Sequence, residues 1–318
     1  MSLPVSLQHL RLPVICAPMF IVSNPKLVVE QCKAGVVGSF PALNARGEGA
    51  LNEWLTGIKA ELMADEAAGG HPAPFAVNQI VHPSNNRLAE DIQVCLSHQV
   101  PVFITSLQAP PKELVDGAHA YGGIVLHDVI NVRHAKKALE AGVDGLILVA
   151  AGAGGHAGML SPFALVGEIR KFYDGLIVLS GSIATGDAIL GAQAMGADLA
   201  YMGTRFICTT EANADAAYKQ GIIDAAANDV IYTNLFTGVH GNYLRQSIVT
   251  AGLDPDNLPV ADKTKMNFGS GGNSAAKAWK DIWGVGQGVG LIDDAPSTAE
   301  LVDHLEMEYK AARVRLAL

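Results

Sequence analysis

The sequence predicts an α/β fold of the (β/α)8 TIM-barrel class, with an inserted cap segment after the eighth strand. Three observations predict it. Short apolar runs alternate with amphipathic stretches from about residue 13 to residue 202, the mark of strand–helix units built into a parallel sheet. Eight such runs can be counted, the number at which a parallel sheet closes on itself. The run at 146–151 passes straight into a glycine-dense loop, GAGGHAG, at Gly152–Gly158. Buried parallel strands deliver their chemistry at that carboxyl end. A doubly wound open sheet is the alternative architecture at this length.

The first strand is expected over residues 13–18 (PVICAP), with a helix over 25–34. The second strand covers 36–40. Its helix carries Leu51, Leu55, Ile58 and Leu62 at helical spacing. Residues 71–74 break the chain before a third strand at 75–80, and Ser84 is an expected N-cap for the helix that runs through Leu96. Strand four is 101–106 and its helix 112–121; strand five is 123–127 and its helix 132–141; strand six is 144–150. Ser161-Pro162 opens the next helix, serine at the cap and proline in the first turn. Strand seven is 176–180, its helix 185–195, and strand eight 199–202.

After Thr209 the alternation stops. A helix is expected over 212–227, a mixed loop-rich stretch over 230–248, and a polar stretch over 255–272 that ends in glycines. Three segments follow: a barrel core at 1–208, an insertion or cap over the mouth at 209–273, and a return to the barrel at 274–318 with a charged terminal helix from about 297.

Composition narrows the function. With 49% hydrophobic residues and 17% charged, the chain can bury a large core. A net charge of -9 disfavours nucleic acid or an anionic membrane as the main partner. Four scattered cysteines without a CxxC pair predict free thiols, and the absence of a basic-then-apolar leader makes a cytoplasmic protein the default expectation. No apolar run approaches the roughly 20 residues needed to cross a bilayer.

His156 is the pivot of the functional reading, since it falls just past a buried strand among glycines that let backbone lie close to a flat ligand. A histidine there can equally cap the following helix. Gly152, Gly154 and Ala157 match GxGxxA, but the helix signal lies downstream of the glycines and strand seven ends at Ser180 with no acidic residue, so the Rossmann reading is rejected. Ser180-Gly181-Ser182 and Gly203-Thr204 end strands seven and eight, where such barrels bind phosphate through backbone N–H groups and a helix N-terminus. Two tight turns that need glycine would look the same. Asn78, at the third strand, offers an amide that both donates and accepts. His127-Asp128 could be a catalytic pair, but neighbours on a strand face opposite ways. No HxH, HExxH, GxSxG or P-loop pattern occurs, so no metal site is expected. Trp279 and Trp283 read as core.

Together APM at Ala17–Met19, Asn78, GAGGHAG at Gly152–Gly158, SGSIATG at Ser180–Gly186, ADLAYMGTRF at Ala197–Phe206 and GQGVGLI at Gly286–Ile292 resemble the nitronate monooxygenase (2-nitropropane dioxygenase-like) family of FMN-dependent TIM barrels. The resemblance implies FMN as cofactor, with Ala17, Pro18 and Met19 along the flavin and Asn78 bonded to the ring. Gly181 and Ser182, beside Ser180, would hold the phosphate with Gly203 and Thr204, while Gly154, Gly155 and Gln287 would sit by the ring. His156 would be the catalytic residue, acting as base toward a nitroalkane carbon, and the nitronate would be oxidised with O2 to a carbonyl compound and nitrite. The implied partners are a nitronate or nitroalkane and O2, with a second copy of the chain as a candidate.

The sequence also departs from the family. Gly152 stands where many relatives have Glu, Ala157 stands where a larger residue is frequent, and Asp128 falls where quinone-reductase-like relatives place a lysine. An inward-facing Asp128 would oppose negative charge on a reduced flavin. An NAD(P)H-dependent reductase of quinones or enoyl thioesters is the alternative function, and a non-catalytic FMN-binding protein the second.

Overall fold

The computed structural model describes residues 3–261 and 281–317. Its strands are β1 (Val14–Cys16), β2 (Gly38–Pro41), β3 (Phe75–Val81), β4 (Val102–Leu107), β5 (Ile124–Val129), β6 (Gly145–Val149), β7 (Gly155–His156), β8 (Leu176–Ser180) and β9 (Leu199–Met202). All but β7 form one parallel sheet in the order β1-β9-β8-β6-β5-β4-β3-β2. A parallel bridge between Ile15 and Val37, with the Cys16 amide donating to the Val37 carbonyl at 2.8 Å, closes the ring between its first and last members.

Period-two alternation sorts each strand's residues between two cores. Ile15, Val37, Ala76, Ile104, Leu126, Ile147, Val178 and Leu199 fill the lumen, joined from below by Leu7. Their neighbours Val14, Val77, Phe103, Val125, Leu146, Ile177 and Ala200 face the helices. Full burial of each such aliphatic side chain contributes about 1.5–3 kcal/mol. A one-residue slip of any strand would exchange the two sets, which fixes the register.

The helices α1 (Pro25–Lys33), α2 (Ala50–Ala67), α3 (Leu88–Ser97), α4 (Lys112–His119), α5 (Val132–Glu140), α6 (Pro162–Arg170) and α7 (Gly186–Ala194) follow strands β1 to β8 around the outside. Asn24, Asn131 and Thr185 cap α1, α5 and α7 through their side chains, each cap being worth about 1 kcal/mol. Two expected caps differ. Ser84 bonds instead to His82 Nδ1 at 2.8 Å, and α3 begins only after Arg87, whose amide is held by Asn85 Oδ1. Ser161 does stand before Pro162, but its hydroxyl makes no cap bond.

After β9 comes only a short α8 (Thr204–Ile207). The inserted chain holds α9 (Ala216–Ile223), shorter than the helix expected over 212–227, then β10 (Val230–Thr233), β11 (Gly241–Leu244) and α10 (Arg245–Thr250). The stretch read as loop-rich is thus a hairpin. Its strand β11 pairs antiparallel with β7, so that Gly241 faces His156 and Asn242 faces Gly155. A separate core, including Val22, Leu27, Ala184, Ile207, Ile222, Leu244, Val285 and Val289, seats this segment on the barrel.

The chain ends in α11 (Thr298–Arg315), which takes the outer position between α7 and α1 that α8 is too short to fill. A capping box of Ser297 and Glu300 starts it, and Arg11 ties it to the barrel through Glu306 at 2.7 Å. All four cysteines are buried and free. No helix among the described residues is long and apolar enough to cross a membrane. The glycines at 269–272, Trp279 and most of the expected return at 275–283 lie outside the described residues; Trp283 is half-buried and stacks on Tyr218.

Candidate active site

Strands β8 and β9 end side by side at the carboxyl-terminal mouth. Gly181 follows β8 with φ +134° and Ser182 with φ +57°, left-handed backbone that turns the chain sharply. Among the described residues the amides of Gly181, Gly203 and Thr204 donate to no acceptor in the chain. Three free N–H groups at adjacent strand ends suit an anion. The helix N-terminus expected behind them is already taken. Thr185 caps the Ala188 amide, and Glu308 from α11 accepts from the Gly186 amide at 2.7 Å. Any phosphate held here therefore relies on the strand-end amides and not on α7. The Ser182 amide is also engaged, donating to the Gly152 carbonyl at 3.3 Å, so Ser182 offers its hydroxyl alone.

The glycine loop after β6 packs against this point. A Cβ on Gly152, at φ +85°, would collide with Ser182 Oγ and lie 3.0 Å from Gln287 Oε1, so both side chains would have to move to admit one. A Cβ on Gly154 would lie 2.8 Å from the Gly286 amide and 3.2 Å from Thr204 Oγ1. The Gly286 amide donates to Thr204 Oγ1 at 2.9 Å, leaving that hydroxyl's own proton free. The Gln287 amide donates to the Gly152 carbonyl at 2.9 Å. Ser182, Thr204, Gly154 and Gln287 are thus gathered in one collar. Ala17 and Met19 border it from β1, with Ala17 Cβ 3.4 Å and Met19 Sδ 3.7 Å from where a Cβ on Gly203 would stand. Pro18 lies between them, half-buried, and Ser180 is buried beneath, its carbonyl accepting from the Ala150 amide.

His156 is held in β7, not in a free loop, and does not cap α6. The loop that carries it is closed at its base by Ala151 N to Leu160 O at 2.8 Å. Its imidazole Nε2 lies 2.9 Å from Thr237 Oγ1. The Thr237 hydroxyl also lies 3.0 Å from the Val239 carbonyl and accepts from the Val239 amide at 3.3 Å. Burial pushes the imidazole's pKa down to about 4, so the ring is neutral at physiological pH.

Across the mouth, Asn78 and Asp128 are joined through a residue that sequence reasoning missed. Asn78 Nδ2 donates to Ser106 Oγ at 2.8 Å and to the Ile104 carbonyl at 3.2 Å; Ser106 Oγ donates to Asp128 Oδ2 at 2.6 Å. Both amide protons of Asn78 are used, which leaves Oδ1 as an acceptor. Asp128 shares the lumen face with Leu126 and Ile124, whereas His127 faces outward and bonds Thr105 at 2.8 Å. The two are not a catalytic pair. β5 and β6 are neighbours in the ring, Asp128 lying opposite Ile147, so this wall adjoins the loop after β6 and faces Tyr201 on β9.

Thr237, Ser106, Tyr201 and Glu308 complete the surroundings. Ser106 and Tyr201 had a signal: each lies two residues beyond a lumen aliphatic on its strand. Thr237 and Glu308 had none, because only tertiary contact places them. Among the described residues no group of three or more His, Cys, Asp or Glu could hold a metal ion.

A closed parallel barrel with free amides at the ends of β8 and β9 and a neutral histidine at its rim is the architecture in which the family match places an oxidoreductase of the flavin-dependent barrel class. The sequence model of the nitronate monooxygenase family matches residues 3–308, and the chain belongs to that family. It is 28% identical to the nitronate monooxygenase of Paraburkholderia phytofirmans, over 94% of this chain and 92% of the relative. In fold it is similar to FabK from Thermotoga maritima, with a TM-score of 0.77 at 22% identity over 98% of this chain and 96% of the other. The nitroalkane oxidase of Streptomyces ansochromogenes superposes with a TM-score of 0.75 at 24% identity, over 97% and 98% of the two chains.

Proposed function

We propose that this chain holds FMN across the barrel mouth and oxidises alkyl nitronates, such as propionate 3-nitronate, with O2 to a carbonyl compound and nitrite. Family membership supports the reaction class. The observation that carries the substrate is the neutral imidazole of His156, fixed by its strand pairing beside the glycine collar.

Bound FMN would supply the electron acceptor and the place where oxygen reacts. The free amides of Gly181, Gly203 and Thr204, with the hydroxyls of Ser182 and Thr204, would take its phosphate. Ala17, Pro18 and Met19 would lie along the ring by backbone, while Gly154, Gly155 and Gln287 would border it from the opposite rim. Asn78 Oδ1 would accept from a ring N–H. A base whose conjugate acid has a pKa near 4 takes a proton from carbon poorly, since the driving force falls with the pKa of the base. A substrate that arrives already ionised needs no such transfer. His156 would then orient the nitronate through an uncharged ring, with water excluded from the contact.

Oxygen uptake with nitrite release from propionate 3-nitronate, without NAD(P)H, is the test, and the parent nitroalkane should turn over far more slowly. Anaerobic bleaching of the flavin by NADH within seconds, with no turnover of nitronates, would select the reductase alternative and reject this one.

A further inference from the structure

Four polar groups stand on the lumen face near the mouth: Asn78 on β3, Ser106 on β4, Asp128 on β5 and Tyr201 on β9. The donors run in one direction, from the Asn78 amide to Ser106 and from Ser106 to Asp128 Oδ2, and they stop there. Among the described residues Asp128 Oδ1 is shut off from solvent and receives no hydrogen bond. As a carboxylate the group would leave half its charge without a donor, an arrangement that folded chains avoid by keeping the proton. The titratable group facing it from across the lumen is the phenol of Tyr201, which burial holds un-ionised. Ser106 and Asn78 face it from β4 and β3 and carry no charge, and among the described residues no Lys, Arg or His pairs with it.

We propose that Asp128 lines the flavin site as a neutral carboxylic acid and that FMN bound over it locks the proton in place. This rests on the FMN site proposed above. It also reverses the expectation that an inward acid opposes negative charge, because a protonated carboxyl offers a hydrogen-bond donor instead. Asp128 is half-buried in the free protein, so a ring laid over the mouth removes its remaining water and favours the neutral form further. Linkage then sets the sign. Burial already raises the carboxyl's pKa to about 7. FMN binding is tightest below that value and weakens as pH rises through it, by about tenfold for each further unit of pKa gained on binding.

The experiment is FMN titration of the apoprotein from pH 5.5 to 9, comparing wild type with Asp128→Asn. The phosphate of FMN titrates in the same range, but identically for both proteins, so the ratio of their Kd values isolates Asp128. That ratio should climb about tenfold across the range, and Ser106→Ala, which removes the donor that lowers the pKa, should move the inflection to higher pH. Isotope-edited infrared of the holoprotein should show a carboxylic-acid C=O stretch at pH 6 that Asp128→Asn abolishes. A ratio that stays level with pH, or a carboxylate signature at pH 6, overturns the role of Asp128 and leaves the FMN site standing. Failure of all three proteins to bind FMN at any pH instead overturns the site itself, and the inference with it.

Discussion

Thr204 gives the sharpest test of the phosphate cradle. Its hydroxyl accepts from the Gly286 amide at 2.9 Å and keeps its own proton for an anion. Thr204→Val preserves shape and removes both functions. Loss of a hydrogen bond to a charged group costs about 1.5–3 kcal/mol, which predicts FMN binding weaker by about 10- to 100-fold. The buried Gly286 amide loses its partner as well, at about 1–3 kcal/mol of stability, so the apoprotein should melt a few degrees lower. Riboflavin separates the two effects. It carries the same ring without the phosphate, so its affinity should change by no more than about threefold, an allowance well inside the 1.4 kcal/mol that a tenfold change represents. Thr204→Ser should restore both. The assay is quenching of flavin fluorescence on titration, with the two ligands side by side. If FMN and riboflavin lose affinity by the same factor, the threonine supports the collar without touching phosphate, and the cradle assignment fails.

Further expectations follow from packing and titration. A Cβ on Gly186 would meet the backbone of α11 at Leu305 and Tyr309, so Gly186→Ala should displace that helix and cost about 3 kcal/mol by overpacking, read as a lowered denaturant midpoint. An unchanged midpoint would mean α11 is not pressed against α7. His127 and His156 have folded pKa values near 4, below their unfolded value of 6.5, so both bind protons mainly when unfolded. Their contribution is complete above about pH 6.5 and is lost as pH falls toward 4, and His127→Gln should flatten that acid limb. Asp128 has the opposite sign: its contribution is present below about pH 4 and lost as pH rises through 7. Asp128→Asn should therefore raise the apoprotein's Tm at pH 8 and leave it unchanged at pH 4. Thr237→Val removes the hydroxyl hydrogen-bonded to His156 Nε2, and turnover should fall while FMN affinity stays the same; equal turnover would remove Thr237 from the positioning of the ring.

The barrel was legible because two periods carry it. Each strand's apolar pairs and each helix's i, i+4 stripe are local signals, and strand ends at Ser180 and Met202 fell where the sequence placed them. What failed was set by long-range contact. Ser84 has a cap residue's chemistry, yet His82 two positions earlier competes for it and wins. Gly155 and His156 form a strand only because β11 offers an edge 85 residues away in the chain, and a two-residue strand has no period to detect. The helix expected over 212–227 is rich in alanine, but α9 spans only Ala216–Ile223, although Ala212, Ala214 and Ala225 outside it also pack into that core. In the site, the glycines and His156 could be picked out by type, whereas Ser106 looked like any strand serine until Asn78 and Asp128 were seen on either side of it.

The division of labour between barrel and insertion has a physical basis. Glycines in the loop after β6 bring high backbone entropy in the unfolded chain, so nothing in that loop alone would hold His156 in one place. The insertion supplies the order. Asn242 donates to the Ala153 carbonyl at 2.6 Å, Tyr232 to the Ala157 carbonyl at 3.0 Å, and the Ala157 amide donates to the His240 carbonyl at 3.2 Å. Thr237, in the turn between β10 and β11, then holds the ring through Nε2 at 2.9 Å. The anion cradle is built from the ends of β8 and β9 and from the returning turn at Gly286, and β11 reaches that turn: the Val285 amide donates to the Asn242 carbonyl at 3.1 Å and Tyr243 bridges Gly284. Substitutions in 230–240 should therefore change which substrate is accepted and how fast it reacts, substitutions at 181–204 whether the flavin stays bound, and substitutions in β11 both. A substitution confined to the turn between β10 and β11, such as Thr237→Val, that lost FMN but kept the barrel's stability would contradict that separation.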